Sequence, residues 1–103
     1  MKLITLFLTC ADADEAEKIG NLLLDKKLAA CVRSADVESL FLWKGQKEQG
    51  REKLLIIDTS EDKFDAIEAV VKEAHSYETF VLTAYSVARS SAGVEEWVQE
   101  VIG

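Results

Sequence analysis

The chain has few of the residues on which disulfide frameworks, zinc sites, phosphate-binding loops and nucleophilic enzymes depend. It contains one histidine, two cysteines and five scattered glycines among 103 residues. Two cysteines are too few for a disulfide framework, and they form no CxxC or Cys/His group of zinc-site spacing. The glycines form no phosphate-binding loop, and a Cys–His pair is the only triad-like arrangement available. We therefore expect that the protein is not an enzyme.

Basic residues and long apolar runs are also scarce. Nineteen acidic residues outnumber 12 basic ones, for a net charge of −7 and a pI near 4.7. This excess of negative charge argues against a nucleic-acid partner and against attachment to anionic membranes. It is compatible with a cationic ligand. No apolar run is long enough to cross a bilayer. The first apolar run is interrupted by Thr5 and Thr9 and followed at once by Asp12, which is unlike a signal peptide. The expected compartment is the cytoplasm.

The apolar pattern alternates between strands and helices along the whole chain. Strands are predicted over residues 2–10, 28–43, 53–59 and 79–87, with 48–51 extending a hairpin around a turn at 44–47. Helices are predicted over about 13–27, after a cap at Thr59 or Ser60, and from Val94 to Val101. Asp12 and Glu15 have capping-box spacing, and the polar patch at Arg33, Ser34 and Asp36 predicts a bend or bulge.

This order of elements predicts the fold class and a single domain over residues 1–103. A βαββαβ sequence places two helices on one face of a four-stranded antiparallel sheet. We expect an α+β, ferredoxin-like sandwich with an extra C-terminal helix. The apolar fraction of 49% is high for so short a chain, and the hairpin over residues 37–57 offers an exposed edge. Both features favour a homotrimer, with Trp43 at or near a subunit contact.

His75 and Cys10 are the candidate metal ligands. His75 lies at the predicted C-terminus of the second helix, where a histidine stabilises the negative end by about 0.3–1 kcal/mol. The alternative is that it ligates a metal together with Cys10, at the end of the first strand; thiolate and imidazole favour copper or zinc. Cys10 and, more so, Cys31 also suit the role of a small buried hydrophobe. The aromatic residues Phe41, Trp43, Tyr77 and Tyr85 suit either a pocket or an interface.

Six segments together resemble the CutA-type divalent-ion tolerance family. They occur in the family's order and are DEAEKI (14–19), KLAACV (27–32), WKG (43–45), LIIDT (55–59), HSYE (75–78) and EEWV (95–98). The resemblance implies a ferredoxin-like subunit, a tight homotrimer and binding of a divalent cation such as copper. It also implies that His75 and Cys10 are the metal ligands.

The sequence departs from the family pattern in its prolines. The chain has none, and Ser76 stands where the family's His-Pro-Tyr-Glu motif has a proline. A second function also fits the fold, namely a trimeric small-molecule sensing or interaction module resembling the PII signalling proteins. The lack of basic residues suited to a nucleotide cleft favours cation binding over this alternative.

Overall fold

The computed structural model describes residues 1–103, in which strands and helices alternate as the sequence predicts. The elements are β1 (Leu3–Cys10), α1 (Ala13–Asp25), β2 (Cys31–Trp43), β3 (Gln46–Ser60), a 3₁₀ turn (Glu61–Lys63), α2 (Phe64–Ala74), β4 (Leu82–Ser86) and α3 (Val94–Ile102). None of the helices is long and apolar enough to span a bilayer. The predicted α+β fold with a closing C-terminal helix is confirmed.

The four strands form one antiparallel sheet in the order β2-β3-β1-β4. β1 lies inside the sheet, where Leu6 pairs with Ile57 of β3 on one side and with Ala84 of β4 on the other. β3 separates β1 from β2, as the ferredoxin-like arrangement requires. The two inner strands, β1 and β3, supply fully buried side chains such as Leu6, Leu8 and Ile57.

The main core lies between the sheet and helices α1 and α2. Leu6 and Leu8 of β1 are fully buried, whereas Phe7 between them is 38% exposed, so the strand alternates between two unlike faces. Each fully buried aliphatic side chain of this kind stabilises the fold by about 1.5–3 kcal/mol. The core cluster consists of Ile4, Leu6, Leu8, Cys10, Ala16, Ile19, Leu23, Ala29, Leu55, Ile57, Ile67 and Val71.

The second face of the sheet is only partly covered. Helix α3 packs Val98 and Ile102 against Leu3 at one end of this face. Farther along β1, Phe7 contacts Tyr85 of β4 with ring centroids 5.1 Å apart, and both rings stay partly exposed. Most of this face is therefore available for contact with another molecule.

Strands β2 and β3 continue past the sheet as a two-stranded arm, residues 37–52. β1 pairs with β3 only over residues 53–60, whereas β2 pairs with β3 out to Trp43 and Gln46. Lys44 and Gly45 form the turn with positive φ angles of 51° and 79°. The register runs without interruption from Cys31, so of the predicted bend or bulge at 33–36 the bulge is wrong. The polar side chains there alternate along a regular strand instead, and Arg33 forms an ion pair with Asp58.

Helix α1 ends earlier than predicted because the chain turns sharply at Lys27. The Lys27 N–H donates to the Leu24 carbonyl, and the Leu28 N–H donates to the Leu23 carbonyl at 2.9 Å. This pair of hydrogen bonds is a Schellman motif, with Lys27 in the left-handed position at φ 56°. Leu28 therefore belongs to the helix end, and β2 begins at Cys31 rather than at residue 28.

Two further boundaries differ from the sequence prediction. β4 covers Leu82–Ser86 rather than 79–87, because residues 75–81 form a loop at the end of α2. Neither Thr59 nor Ser60 caps the following turn with its side chain. The Thr59 hydroxyl donates to the Leu28 carbonyl at 2.6 Å, and the Ser60 hydroxyl bonds the carboxylate of Asp62.

The left-handed conformation of Lys27 generates a prediction of increased stability. A non-glycine residue in this conformation costs about 1–2 kcal/mol. Part of that cost is offset by the chain entropy of glycine, so Lys27→Gly should raise the free energy of unfolding by about 0.5–1 kcal/mol. Lys26→Gly is the matched control and should lower it, because Lys26 has a φ of −84°. Denaturant unfolding of both variants at one protein concentration tests this, and equal effects of the two would contradict it.

Candidate metal centre

Cys10, Glu15 and His75 come together where three elements meet. Cys10 ends β1 and is fully buried, Glu15 lies in the first turn of α1, and His75 is the C-cap of α2. One donor atom from each residue lies within 4.8 Å of the other two. The structure thus brings the two sequence candidates together and adds Glu15, for which the sequence indicated only a capping role.

The His75 ring is held by hydrogen bonds on both of its nitrogens. Nε2 lies 2.7 Å from the Thr9 carbonyl oxygen, and Nδ1 lies 3.1 Å from the Tyr77 backbone nitrogen. A carbonyl only accepts and a backbone N–H only donates, so Nε2 carries the proton and Nδ1 carries the lone pair. The imidazole is therefore neutral, in the form that binds metals.

The same ring is part of the protein interior. The His75 side chain has no exposed surface, stacks on Phe80 at 5.5 Å and packs tilted against Tyr77 at 4.7 Å. His75 is thus a buried residue at the C-terminal end of α2. Its position at the end of α2 is as predicted, with its N–H donating to the Val71 carbonyl at 2.8 Å.

Glu15 ties the start of α1 to the loop after α2. Its Oε2 accepts a hydrogen bond from the Ala11 N–H at 2.8 Å, and its Oε1 accepts one from the Ser76 N–H at 2.6 Å. Asp12 completes the cap by accepting from the Glu15 N–H at 2.9 Å. Burial alone raises the pKa of Glu15, but the bonds from Ala11 and Ser76 outweigh it, so the pKa lies below its ordinary value.

Cys10 is a protonated thiol in this environment. Burial, followed by the negative charges of Glu15, Glu52 and Asp12, raises its pKa to about 12. A thiol of this kind becomes a ligand only when a cation displaces its proton. The carboxylates that disfavour the thiolate are the charges that attract a cation. Cys31 lies outside this group, half-buried in β2 and paired with Asp58.

The donor set fits a transition-metal ion. Nδ1 of His75 and Oε2 of Glu15 face each other at 3.8 Å, close to the separation of two ligands that share one ion at about 2.0–2.2 Å each. The widest donor separation, 4.8 Å, has to shrink by about 1 Å for tetrahedral coordination. Thiolate, imidazole and carboxylate donors suit copper or zinc better than calcium or magnesium.

An aromatic pocket lies beside the cluster, between the tip of the arm and the loop after α2. It has a volume of about 370 Å³ and is lined by Phe41, Trp43, Ser76, Tyr77, Glu78 and Thr79. Three of the four aromatic candidates from the sequence thus line a pocket, while Tyr85 packs on Phe7 instead. The Tyr77 hydroxyl donates to Glu52 at 2.7 Å, and burial and this carboxylate raise the pKa of Tyr77.

The two hydrogen bonds to Glu15 predict a pH-dependent loss of stability. Its lowered pKa means that the carboxylate stabilises the fold fully above its ordinary value of 4.5 and loses this effect as pH falls through the lower folded value. Glu15→Gln should therefore cost about 1.5–3 kcal/mol near neutral pH, the usual contribution of hydrogen bonds to a charged group.

Urea unfolding of the wild type and of Glu15→Gln at pH 7 and well below pH 4.5 measures this effect. The difference between the two proteins should narrow in acid. Glu17→Gln is the matched control, because Glu17 is exposed on the same helix and makes no such bonds. A Glu15→Gln protein as stable as the control would contradict the assigned role of the carboxylate.

Comparison with protein families gives one match, over nearly the whole chain. Residues 4–101 match the model of the CutA1 divalent ion tolerance protein family. A divalent-cation tolerance protein CutA from Archaeoglobus fulgidus is 35% identical over 97 residues, which cover 94% of this chain and 95% of the relative. Human protein CutA is 31% identical over 96 residues, covering 92% of this chain and 54% of the human protein.

Solved structures agree with the sequence comparison. The archaeal structure, described as a periplasmic divalent cation tolerance protein, superposes with a TM-score of 0.96 at 34% identity and covers 98% of this chain and 99% of its own. CutA1 from Oryza sativa superposes with a TM-score of 0.95 at 27% identity, and the match covers 100% of this chain and 95% of the rice chain. The fold, the sequence match and the continuity of both along the chain lead to one conclusion: the chain belongs to the CutA1 family of divalent ion tolerance proteins.

Proposed function

We propose that this protein is a homotrimer that binds a divalent cation, copper foremost, at Cys10, Glu15 and His75, and that it serves metal-ion tolerance. The observation that carries the proposal is the convergence of three different donor types within 4.8 Å. The chain's net charge of −7 favours the approach of cations. The relatives are named divalent-cation tolerance proteins, which supports a role connected with divalent cations.

The state of the cluster supports a binding role rather than an enzymatic one. Cys10 is held as a thiol by its raised pKa, so it is not an activated nucleophile. Both ring nitrogens of His75 are already in hydrogen bonds, since Nδ1 accepts one from the Tyr77 N–H and Nε2 donates one to a carbonyl.

A cytoplasmic location stays a prediction, since the archaeal relative is described as periplasmic.

The arm supports the proposed trimer. A two-stranded ribbon is marginally stable by itself in water, yet residues 37–52 have only each other as strand partners. Leu40 and Leu42 are each 75% exposed, while Phe41 and Trp43 are exposed on the other side of the ribbon. The partly covered second face of the sheet adds Phe7 and Tyr85. Contact with further copies of the chain would bury these residues.

Calorimetric titration with Cu²⁺ and Zn²⁺, beside an ATP control, tests the cation site. His75→Gln should weaken Zn²⁺ binding by at least about 10–100-fold, a loss that even outer-shell partners produce. Cys10→Ser should weaken Cu(I) more than Cu²⁺, because thiolate is the softer ligand. Cys31→Ser is the matched control and should leave every affinity unchanged.

The affinity for the cation should fall in acid, because protonated imidazole cannot ligate a metal ion. A wild-type isotherm from His75→Gln would remove His75 from the site, and binding of ATP instead would favour the PII-like alternative.

Sedimentation equilibrium tests the trimer. Trp43→Ala and Leu42→Ser should each shift the wild-type trimer towards monomer, because both remove apolar area from the arm. Glu48→Gln is a control on the same arm that leaves the apolar area unchanged. A wild-type protein that sediments as a stable monomer at micromolar concentration would contradict the trimer.

A further inference from the structure

Tyr77 touches both the cation cluster and the aromatic pocket. Its N–H donates to Nδ1 of His75 at 3.1 Å, and its ring packs against the imidazole at 4.7 Å. Its hydroxyl donates to Glu52 of the arm. The same side chain lines the pocket that contains Trp43. A movement of Tyr77 would therefore change the contacts of both the cation cluster and the aromatic pocket.

The hydrogen bond of Nε2 determines which nitrogen of His75 is available to a cation. The Thr9 carbonyl holds the proton on Nε2, so Nδ1 has the only ring-nitrogen lone pair that can reach a cation. Nδ1 also faces Oε2 of Glu15 at 3.8 Å, with no proton between the two atoms. Outer-shell hydrogen bonds of this kind commonly select the ligating nitrogen in metal sites. Nδ1 is therefore the nitrogen through which His75 would bind a cation.

The Tyr77 N–H occupies the place that a cation on Nδ1 requires. Nδ1 has one lone pair, which the Tyr77 N–H already uses at 3.1 Å. A zinc or copper ion binds imidazole nitrogen through this lone pair, at about 2.0–2.1 Å. The ion and the Tyr77 N–H cannot share it, so the hydrogen bond from Tyr77 has to break when a cation binds at Nδ1.

Resting on the proposed cation site, we propose that Tyr77 is a latch that couples cation binding at His75 to the aromatic pocket beneath the arm. With the cluster empty of cation, the Tyr77 N–H bond to Nδ1 keeps the loop after α2 in place and the Tyr77 ring in the pocket wall. Release of that bond shifts the ring relative to Trp43. The pocket then has two shapes, one for each state of the cluster, and whatever binds at the pocket is sensitive to the cation.

The local structure permits this movement. Residues 75–81 belong to no helix or strand, and the backbone hydrogen bonds of the loop at Ser76 and Tyr77 go to side chains, those of Glu15 and His75. Tyr77 is 36% exposed, so its ring can shift without opening the main core. Both side chains that restrain the loop are members of the cation cluster.

Trp43 emission in a Trp97→Phe background tests the latch, because Trp43 is then the only tryptophan. Zn²⁺ is the probe, since it does not quench fluorescence as Cu²⁺ does. Zn²⁺ should change the emission with a midpoint equal to the calorimetric dissociation constant of the same protein. Tyr77→Ala in this background should still bind Zn²⁺ but lose the emission change, whereas Tyr77→Phe should retain it; both variants keep the backbone N–H, and only Tyr77→Phe keeps the ring.

Nitrogen NMR of the one imidazole provides the second measurement. Zn²⁺ should shift the Nδ1 resonance and leave Nε2 protonated, with loss of the Tyr77 amide signal at its original position. Zn²⁺ binding by calorimetry with unchanged Trp43 emission, or ligation through Nε2, would overturn the latch while the cation site stands. Absence of Zn²⁺ binding in calorimetry would overturn the cation site and the latch with it.

Discussion

The carboxylate of Glu15 is the interaction on which the arrangement of the cluster depends. It accepts one hydrogen bond from the N–H of Ala11, after β1, and one from the N–H of Ser76, which follows α2 and lies 61 residues from Glu15 in sequence. Without it, the end of β1 and the end of α2 would have no polar link except the bond from His75 to Thr9. Because both oxygens of Glu15 are used, the cluster is ordered before any cation arrives, which lowers the entropy lost on binding.

The same carboxylate contributes to the electrostatics of the cluster. Burial, followed by the negative charges of Glu15 and of Glu52 on the arm, raises the pKa of Cys10 and keeps it protonated. A divalent cation suits this site, because it replaces the thiol proton and is attracted to both carboxylates. The structure thus stabilises a resting state that is neutral at sulfur and nitrogen.

Much of the fold could be predicted from the sequence, since periodicity identified every strand and helix and placed Cys10 at the end of β1 and His75 at the end of α2. The errors occurred where one local contact decides the outcome, as at the left-handed Lys27 and the uninterrupted strand at 33–36. Glu15 was missed as a potential ligand because its capping role explained it fully in sequence terms. Ser76 shows the same limit: where the family motif has a proline, this chain has an N–H that donates to Glu15, and only the three-dimensional contact reveals its partner.

The central claim is that Cys10, Glu15 and His75 share one divalent cation. Anomalous diffraction at the zinc absorption edge from crystals grown with equimolar Zn²⁺ tests it most directly. The account predicts one strong anomalous peak per chain, within about 2.0–2.3 Å of His75 Nδ1, Glu15 Oε2 and Cys10 Sγ. Peaks confined to exposed carboxylates such as Glu38 or Glu78, with the His75–Tyr77 hydrogen bond intact, would contradict it.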